Sequence, residues 1–374
     1  MTTAQAEMDG LTIFLCGDVM TGRGVDQILP HPGDPTLREP VVDDARTYVE
    51  LAEQANGPIP NPADFSWPWG EALGVLDEFA PDGRLLNLET AVTSGSDFAP
   101  YKAIHYRMHP DNVECLTAPR PDVCVLANNH TLDFGTGGLA DTLRVLADAG
   151  IPCAGAGLDA EEAHRPAVTE TNGSRVICIA AGMKSSGIPG SWAATEDRPG
   201  VAFLSDMSKR TATQIADRAV ALKRAGDVAV ASLHWGSNYG YHIDSSQRHF
   251  AHHLIDAGID VVYGHSSHHP RPIEVYRGKL ILYGCGDLVN DYEGIGGYQA
   301  YRGELRLMYF ASVDPASGRL IVLNMVPMRE VRMRLQRGAC VDVEWMRSTL
   351  EDTSRLFGTR VETKADGVLA VRAR

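Results

Sequence analysis

The sequence predicts an α/β protein, and three observations carry that prediction. Short apolar runs at residues 11–16, 122–127, 227–233 and 260–263 have the length and β-branched content of buried strands. Between them lie segments whose apolar residues are spaced by three and four, such as Leu139, Leu143 and Leu146, the mark of a helix with one buried face. The strand ends supply the third observation. Five in succession stop at polar, metal-competent residues: Asp18, then Asn87 and Glu89, then Asn129 and His130, then His234, then His265 and His268. Open α/β architectures build their sites at the carboxyl ends of strands.

The elements follow in order. Residues 11–16 form a first strand that delivers Asp18 into a loop. The stretch 29–68 is rich in Pro and polar residues and predicts a long loop excursion over a site. Residues 69–80 read as a helix and 84–89 as a second strand. The strand at 122–127 runs into Asn128, Asn129 and His130, and the following helix closes at Gly150, the residue type that ends helices in a left-handed conformation. A strand at 175–180, a helix at 209–225 and the strand ending at His234 come next. A helix bearing Phe250 and Leu254 leads to the strand before Gly264 and His265, and strands at 279–283 and 305–313 finish the sheet system. The order predicts a flexible N-terminus at 1–10, a catalytic domain at 11–330 and a C-terminal extension at 331–374, read as a packed helix plus tail. No internal repeat interrupts it.

Composition narrows the function classes. Of 374 residues, 44% are hydrophobic and 22% charged, which is ordinary for a chain with a sizeable core. The formal net charge of -14 opposes nucleic acid, anionic membrane and polyanionic ligands. Seven scattered cysteines, with no CxxC pair, read as buried reduced thiols. The polar, acidic start lacks a basic segment followed by an apolar one, and no apolar run is long enough to cross a bilayer. The expectation is a cytoplasmic protein with no nucleic-acid and no membrane partner.

The motifs Gly17-Asp18-Val19-Met20, Asn87-Leu88-Glu89-Thr90, Ala127-Asn128-Asn129-His130, Leu233-His234-Trp235-Gly236 and Gly264-His265-Ser266-Ser267-His268-His269-Pro270, trailed by Gly284-Cys285-Gly286-Asp287, stand in that order along most of the chain. Each is weak alone; the ordered set is strong. It resembles the calcineurin-like metallophosphatases, and within them the CapA branch, named for poly-γ-glutamate synthesis. The resemblance implies a layered αββα sandwich with mixed sheets. It also implies one divalent metal ion (Ca, Mn, Mg or Zn) and no organic cofactor. Glu89, Asn129, His234 and His265 would surround the metal, with Asp18 as a further ligand or an acid/base group. Carboxylate, amide oxygen and imidazole make a mixed shell suited to such an ion.

Departures from the phosphatase pattern are informative. Met20 stands where those enzymes carry a His, and a thioether is a poor ligand for a hard cation. Glu89 replaces a bridging Asp, and Ser267 stands where a second ligand His is expected, with His268 one step on. A two-metal clamp on phosphate needs ions about 3.5–4 Å apart, so these changes put phosphoester hydrolysis in doubt. The resemblance extends to a lasso-peptide C-terminal epimerase. Under it the substrate is the C-terminus of a precursor peptide, and Asp18, His130, His234, His265, His268 and Asp287 supply acid/base groups for proton exchange at Cα. Phosphoester hydrolysis and a poly-γ-glutamate capsule accessory role are the alternatives. Lys102, Arg107, Trp235 and His269 are candidates to bind substrate. The plainer readings are a solvated edge strand for the first two, core packing for Trp235, as for Trp67 and Trp69, and a solvent-facing ring for His269. Asp287 either orients a His or turns the chain, and His249, His252 and His253 read as surface positions on a helix.

Overall fold

The structure, a computed structural model, describes residues 10–171 and 173–372. The expected flexible segment at 1–10 therefore lies, but for Gly10, outside the described residues. Two mixed sheets pack face to face. The first centres on Leu11–Val19, which pairs in parallel with Gly83–Leu88 and antiparallel with Leu305–Asp314. Val123–Val125 and Cys153–Ala154 extend it on one side, Arg319–Glu330 and Leu369–Arg372 on the other. The second sheet runs through Ser174–Met183, Val228–His234, Val261–His265 and Lys279–Leu282, all parallel neighbours.

Side-chain alternation along the strands explains the layers. Ile13 and Leu15 of the first sheet meet Val176, Cys178, Val230 and Val261 of the second in one core between the sheets. Phe14 and Cys16 point the other way, into a cluster with Ala72, Val75, Leu139 and Leu146 of helices Ala72–Phe79 and Gly135–Asp148. Ile177, Ile179 and Ala231 face outward from the second sheet onto Ala212 and Ala216 of helix Lys209–Val220 and Phe250 and Leu254 of helix Ser245–Asp256. Both faces of each sheet are thus buried, as near-continuous apolar strands require. The αββα sandwich expected from the sequence is present.

Three readings change. The stretch 29–68 is not a plain loop: it holds the helix Arg46–Asn56, whose Tyr48 and Ala52 join the core. The sheet system does not finish at residue 313, because Arg319–Glu330 adds a twelve-residue strand. The segment after 331 carries the helix Cys340–Ser354, and its end is no free tail, since Leu369–Arg372 pairs with Arg319–Glu330. No helix among the described residues is long and apolar enough to cross a membrane. Five cysteines, Cys16, Cys115, Cys124, Cys178 and Cys285, are buried, Cys340 is exposed, and all seven are unpaired.

Leu15 is fully enclosed between the sheets. Leu15→Ala is expected to lower the unfolding free energy by about 2–5 kcal/mol, read as a shift of the urea midpoint.

Candidate metal centre

The site forms where the two sheets present their carboxyl ends side by side. Strand register does the first part of the work. On the first sheet Asp18 is paired with both Asn87 and Asp287; on the second, His234 is paired with His265. Glycine does the rest. A Cβ on Gly17 would stand 1.7 Å from the Gly286 carbonyl oxygen, and Gly286 itself has φ of 78°. Only two glycines let these strands approach so closely. The Asp18 N–H donates to that same carbonyl at 2.9 Å.

The result is a buried cluster of opposed donors. Asp18, His234 and His265 bring one potential ligand atom each within 4.8 Å of one another, and so do Asp18, His268 and Asp287. Asp18 belongs to both groups. His234 Nε2 donates to Asn129 Oδ1, and His265 Nε2 shares a hydrogen bond with Ser232 Oγ, each at 2.7 Å. The two Nδ1 atoms face one another at 2.7 Å. Glu89 lies beside them, with Oε1 3.9 Å from His234 and 3.7 Å from His130; its Oε2 is buried without a hydrogen-bond partner. The Asp18 carboxylate receives Asn87 Nδ2 at 2.7 Å and the N–H of Ser266 at 3.3 Å. Ser266 holds φ of 97° to make that contact, backbone strain of the kind that collects at functional sites.

Electrostatics favours a cation there. Burial, then the neighbouring Asp287, pushes the Asp18 carboxyl up to about 7. Burial and then Asp18 hold Glu89 well above its usual range. Burial lowers His265 to about 3, and burial with the adjacent His265 drives His234 well down. Crowded carboxylates that resist ionising, beside imidazoles that resist protonation, fit a divalent ion held by mixed O and N donors.

Two histidines stand around this core, each oriented by a carboxylate. His268 Nδ1 donates to Asp287 Oδ1 at 2.9 Å, and Asn238 Nδ2 donates to its Nε2 at 3.1 Å. Burial alone would lower His268, but the Asp287 charge prevails and raises it. The other Asp287 oxygen accepts from Asn290, whose Oδ1 accepts from the buried Arg306. His130 Nδ1 donates to Asp133 Oδ2 at 2.6 Å, and Tyr106 meets its ring edge-on at 4.4 Å. Burial lowers His130 to about 4 despite Asp133.

The structure thus brings Asp18, Glu89, His130, His234, His265, His268 and Asp287 together. Asn129 is adjacent, but its side-chain oxygen is engaged by His234 rather than turned into the cluster. Lys102 also reaches the site: its ammonium bonds to the Asn129 carbonyl and to Asp133, 3.0 Å from His130 Nδ1. The other three substrate-binding candidates sit elsewhere around the site or away from it. Arg107 turns away to the carbonyls of Gly95 and Asp34. Trp235 is buried in the outer core, its indole donating to the Tyr283 carbonyl; Trp67 and Trp69 likewise donate to the backbone, at Arg332 and Cys115. His269 does not face solvent: it is buried, donates to the Pro270 carbonyl and stacks on Tyr301 at 4.5 Å. Met20, where a phosphatase would offer imidazole, is buried with Tyr292 donating to its sulfur at 3.6 Å.

Sequence reading missed Asp133 and the residues of the adjoining cavity. The spacing His130-x-x-Asp133 was the available signal for the first. The cavity, of about 610 Å³, opens on His268 and Asp287 and is walled by tyrosines from distant segments. Arg23 also borders it, held by Asp291 and Glu39 with its guanidinium 3.9 Å from the Tyr48 ring centre.

Fold and site together define an α/β sandwich protein with a metal-competent centre at its strand ends. Comparison with known proteins gives the family: residues 12–292 match the bacterial capsule synthesis protein PGA_cap, and the chain belongs to that family, which has the calcineurin-like metallophosphatase fold. A relative in Mycobacterium tuberculosis, described as a probable polyglutamine synthesis accessory protein, is 58% identical over 365 residues, covering 97% of this chain and 96% of that one. The PGA biosynthesis protein CapA of Bacillus subtilis is 28% identical over 76% of this chain and 64% of its own length. The capsule biosynthesis protein CapA of Bacillus anthracis is 26% identical over 76% of this chain and 61% of its own.

Two outcomes are expected. Gly17→Ala forces the Asp18 and Asp287 strands apart, and elemental analysis of the purified variant should find the metal-to-protein ratio reduced by more than half. The second concerns pH. A carboxyl raised to about 7 stabilises the metal-free fold below its unfolded value and loses that contribution as pH rises through about 7. Metal must displace that proton, so the gap in Tm between metal-loaded and metal-free protein should widen from pH 5 to pH 8.

Proposed function

We propose that this protein is a metal-dependent accessory enzyme in the synthesis of a polyglutamate-type polymer. The observation that carries the proposal is the sharing of Asp18 between two groups of potential ligands, one of which includes the His268–Asp287 pair. The relatives' descriptions supply the biological setting. Asp18, Glu89, His234 and His265 would hold the ion, with Asn129 and Ser232 fixing the two imidazoles. A bound divalent cation supplies Lewis acidity to a carbonyl or phosphoryl oxygen.

The chain's own residues carry the proton work. Asp287 fixes His268 with Nδ1 as donor, so Nε2 is the nitrogen that gives or takes a proton. Asp133 fixes His130 in the same tautomer, leaving Nε2 toward Glu89. Lys102 stands over that pair and adds positive charge close to the Nδ1 side. The thioether at Met20 argues against a full two-ion phosphatase centre.

A second reading, the expected epimerisation at the C-terminal residue of a peptide, draws support from the same two His–carboxylate pairs, because Cα inversion needs two acid/base groups. It is separable by experiment: incubation of candidate peptides in D₂O would place one deuteron at Cα, whereas p-nitrophenyl phosphate reports phosphoester hydrolysis.

The test of the accessory role is complementation. In a strain lacking this chain, the wild-type protein should restore polymeric glutamate in hydrolysed extracts, and Asp18→Asn and His268→Ala should restore less than about a tenth. Equal restoration by both variants, at equal protein levels, would sink the reading of this cluster as the working centre. His268→Ala should retain its metal while Asp18→Asn loses it, read by elemental analysis.

A further inference from the structure

The cavity beside His268 has a chemistry of its own. Its rings are tyrosines. Tyr239 and Tyr298 lie face to face, centroids 3.8 Å apart and planes within 5°, and Tyr301 leans on Tyr239 at 5.2 Å. Deeper in, Tyr106 and Tyr292 are joined through their hydroxyls at 2.7 Å. Tyr298 remains 54% exposed, so part of its surface is open to a ligand. The hydroxyls of Tyr239, Tyr298 and Tyr301 have no hydrogen-bond partner among the described residues.

Most of the charges around the cavity are paired. Arg23 is held by Asp291 and Glu39. Glu293 accepts the N–H groups of Arg332 and Met333 at 2.9 and 2.8 Å. Glu304 pairs with Arg302, Glu330 with the buried Arg306, and Arg329 lies 3.7 Å from Asp342. Each arginine lining the cavity has a carboxylate partner, whereas Glu293 is held by N–H groups alone, so the charge that remains is negative and an anionic ligand is disfavoured. Beside these stand flat ring surface, hydroxyls, the amides of Asn238 and Gln299 and the apolar side chains of Ala55, Ile104 and Ile295, around a volume within the usual range for small-ligand sites. Rings with one apolar face and one polar tip suit a partner built the same way.

We infer that this cavity binds a neutral, hydroxyl-bearing ring, a sugar unit of a glycan, stacked on the exposed face of Tyr298, which Tyr239 backs from the other side. A polyglutamate chain is the wrong ligand for it, since each residue of such a polymer brings a negative charge that nothing here neutralises. The binding does not rest on the proposed function, and it needs no metal and no turnover.

The experiment uses the full chain stripped of metal with EDTA. Chitotriose, cellotriose and maltotriose are titrated by isothermal calorimetry, with saturation-transfer NMR to find the protons that touch protein. At least one trisaccharide should bind saturably, little affected by raising the salt concentration. Tyr298→Ala and Tyr239→Ala should each weaken it about tenfold, and Tyr298→Phe should keep most of it, because the ring face does the stacking. Tyr298 is exposed, so its variants report binding rather than folding. Absence of binding by all three sugars overturns the inference. So does saturable, salt-sensitive binding of a γ-glutamyl trimer that Tyr298→Ala abolishes. Sugar binding by a protein that fails to take up metal would sink the proposed function and leave this inference standing.

Discussion

Two carboxylates, Asp18 and Glu89, are buried against each other with Asp287 close by, and the rest of the structure is arranged around that cost. Like charges at such separation cannot all ionise in a dry setting without an opposing cation. Ordinary folding would replace them with apolar residues. Here they persist because strand register and two glycines force the Asp18 and Asp287 backbones together, and the second sheet closes His234 and His265 over them. The sandwich core fixes the distance between the sheets, and so fixes the separation of carboxylates from imidazoles. A centre built on the ends of packed strands is held more rigidly than one carried by loops.

The surroundings are graded. Nearest the cluster, each imidazole has its second nitrogen engaged: His234 by Asn129, His265 by Ser232, His268 by Asp287, His130 by Asp133. Behind Asp287 comes a chain of buried groups, Asn290, Arg306 and Glu330. Low local dielectric strengthens a fully connected network of this kind and penalises an incomplete one. Beyond it the cavity wall gains tyrosines, whose hydroxyls stand among arginines and carboxylates that are mostly paired with one another. The site thus passes from ionic chemistry to neutral recognition within a single opening.

Much of this was legible in the sequence, and what was not has physical causes. Strands that are buried on both faces announce themselves as apolar runs, and the polar residue that ends each one marks the rim of the sheet. Asp18, His234 and His265 were therefore readable. The helix Arg46–Asn56 was not, because Pro and Gly on either side hide it and most of its side chains are polar, with only Tyr48 and Ala52 buried. Trp235 misled because it directly follows a site residue, yet successive side chains of a strand point to opposite faces; the one after His234 goes into the outer core. The cavity was invisible for another reason. Tyr48, Tyr106, Tyr239 and Tyr298 are neighbours only after folding, and no local pattern connects them.

The sheet order has a consequence for how the molecule comes into being. Leu11–Val19, near the start of the chain, lies between Gly83–Leu88 and Leu305–Asp314. During synthesis its second edge stays open until most of the polypeptide has left the ribosome, and long-range pairing of that kind is slow and exposes strand edges to other chains. A nascent chain stalled before residue 305 carries Leu11–Val19 on an unfinished sheet, with most of one edge open and prone to stick to its neighbours.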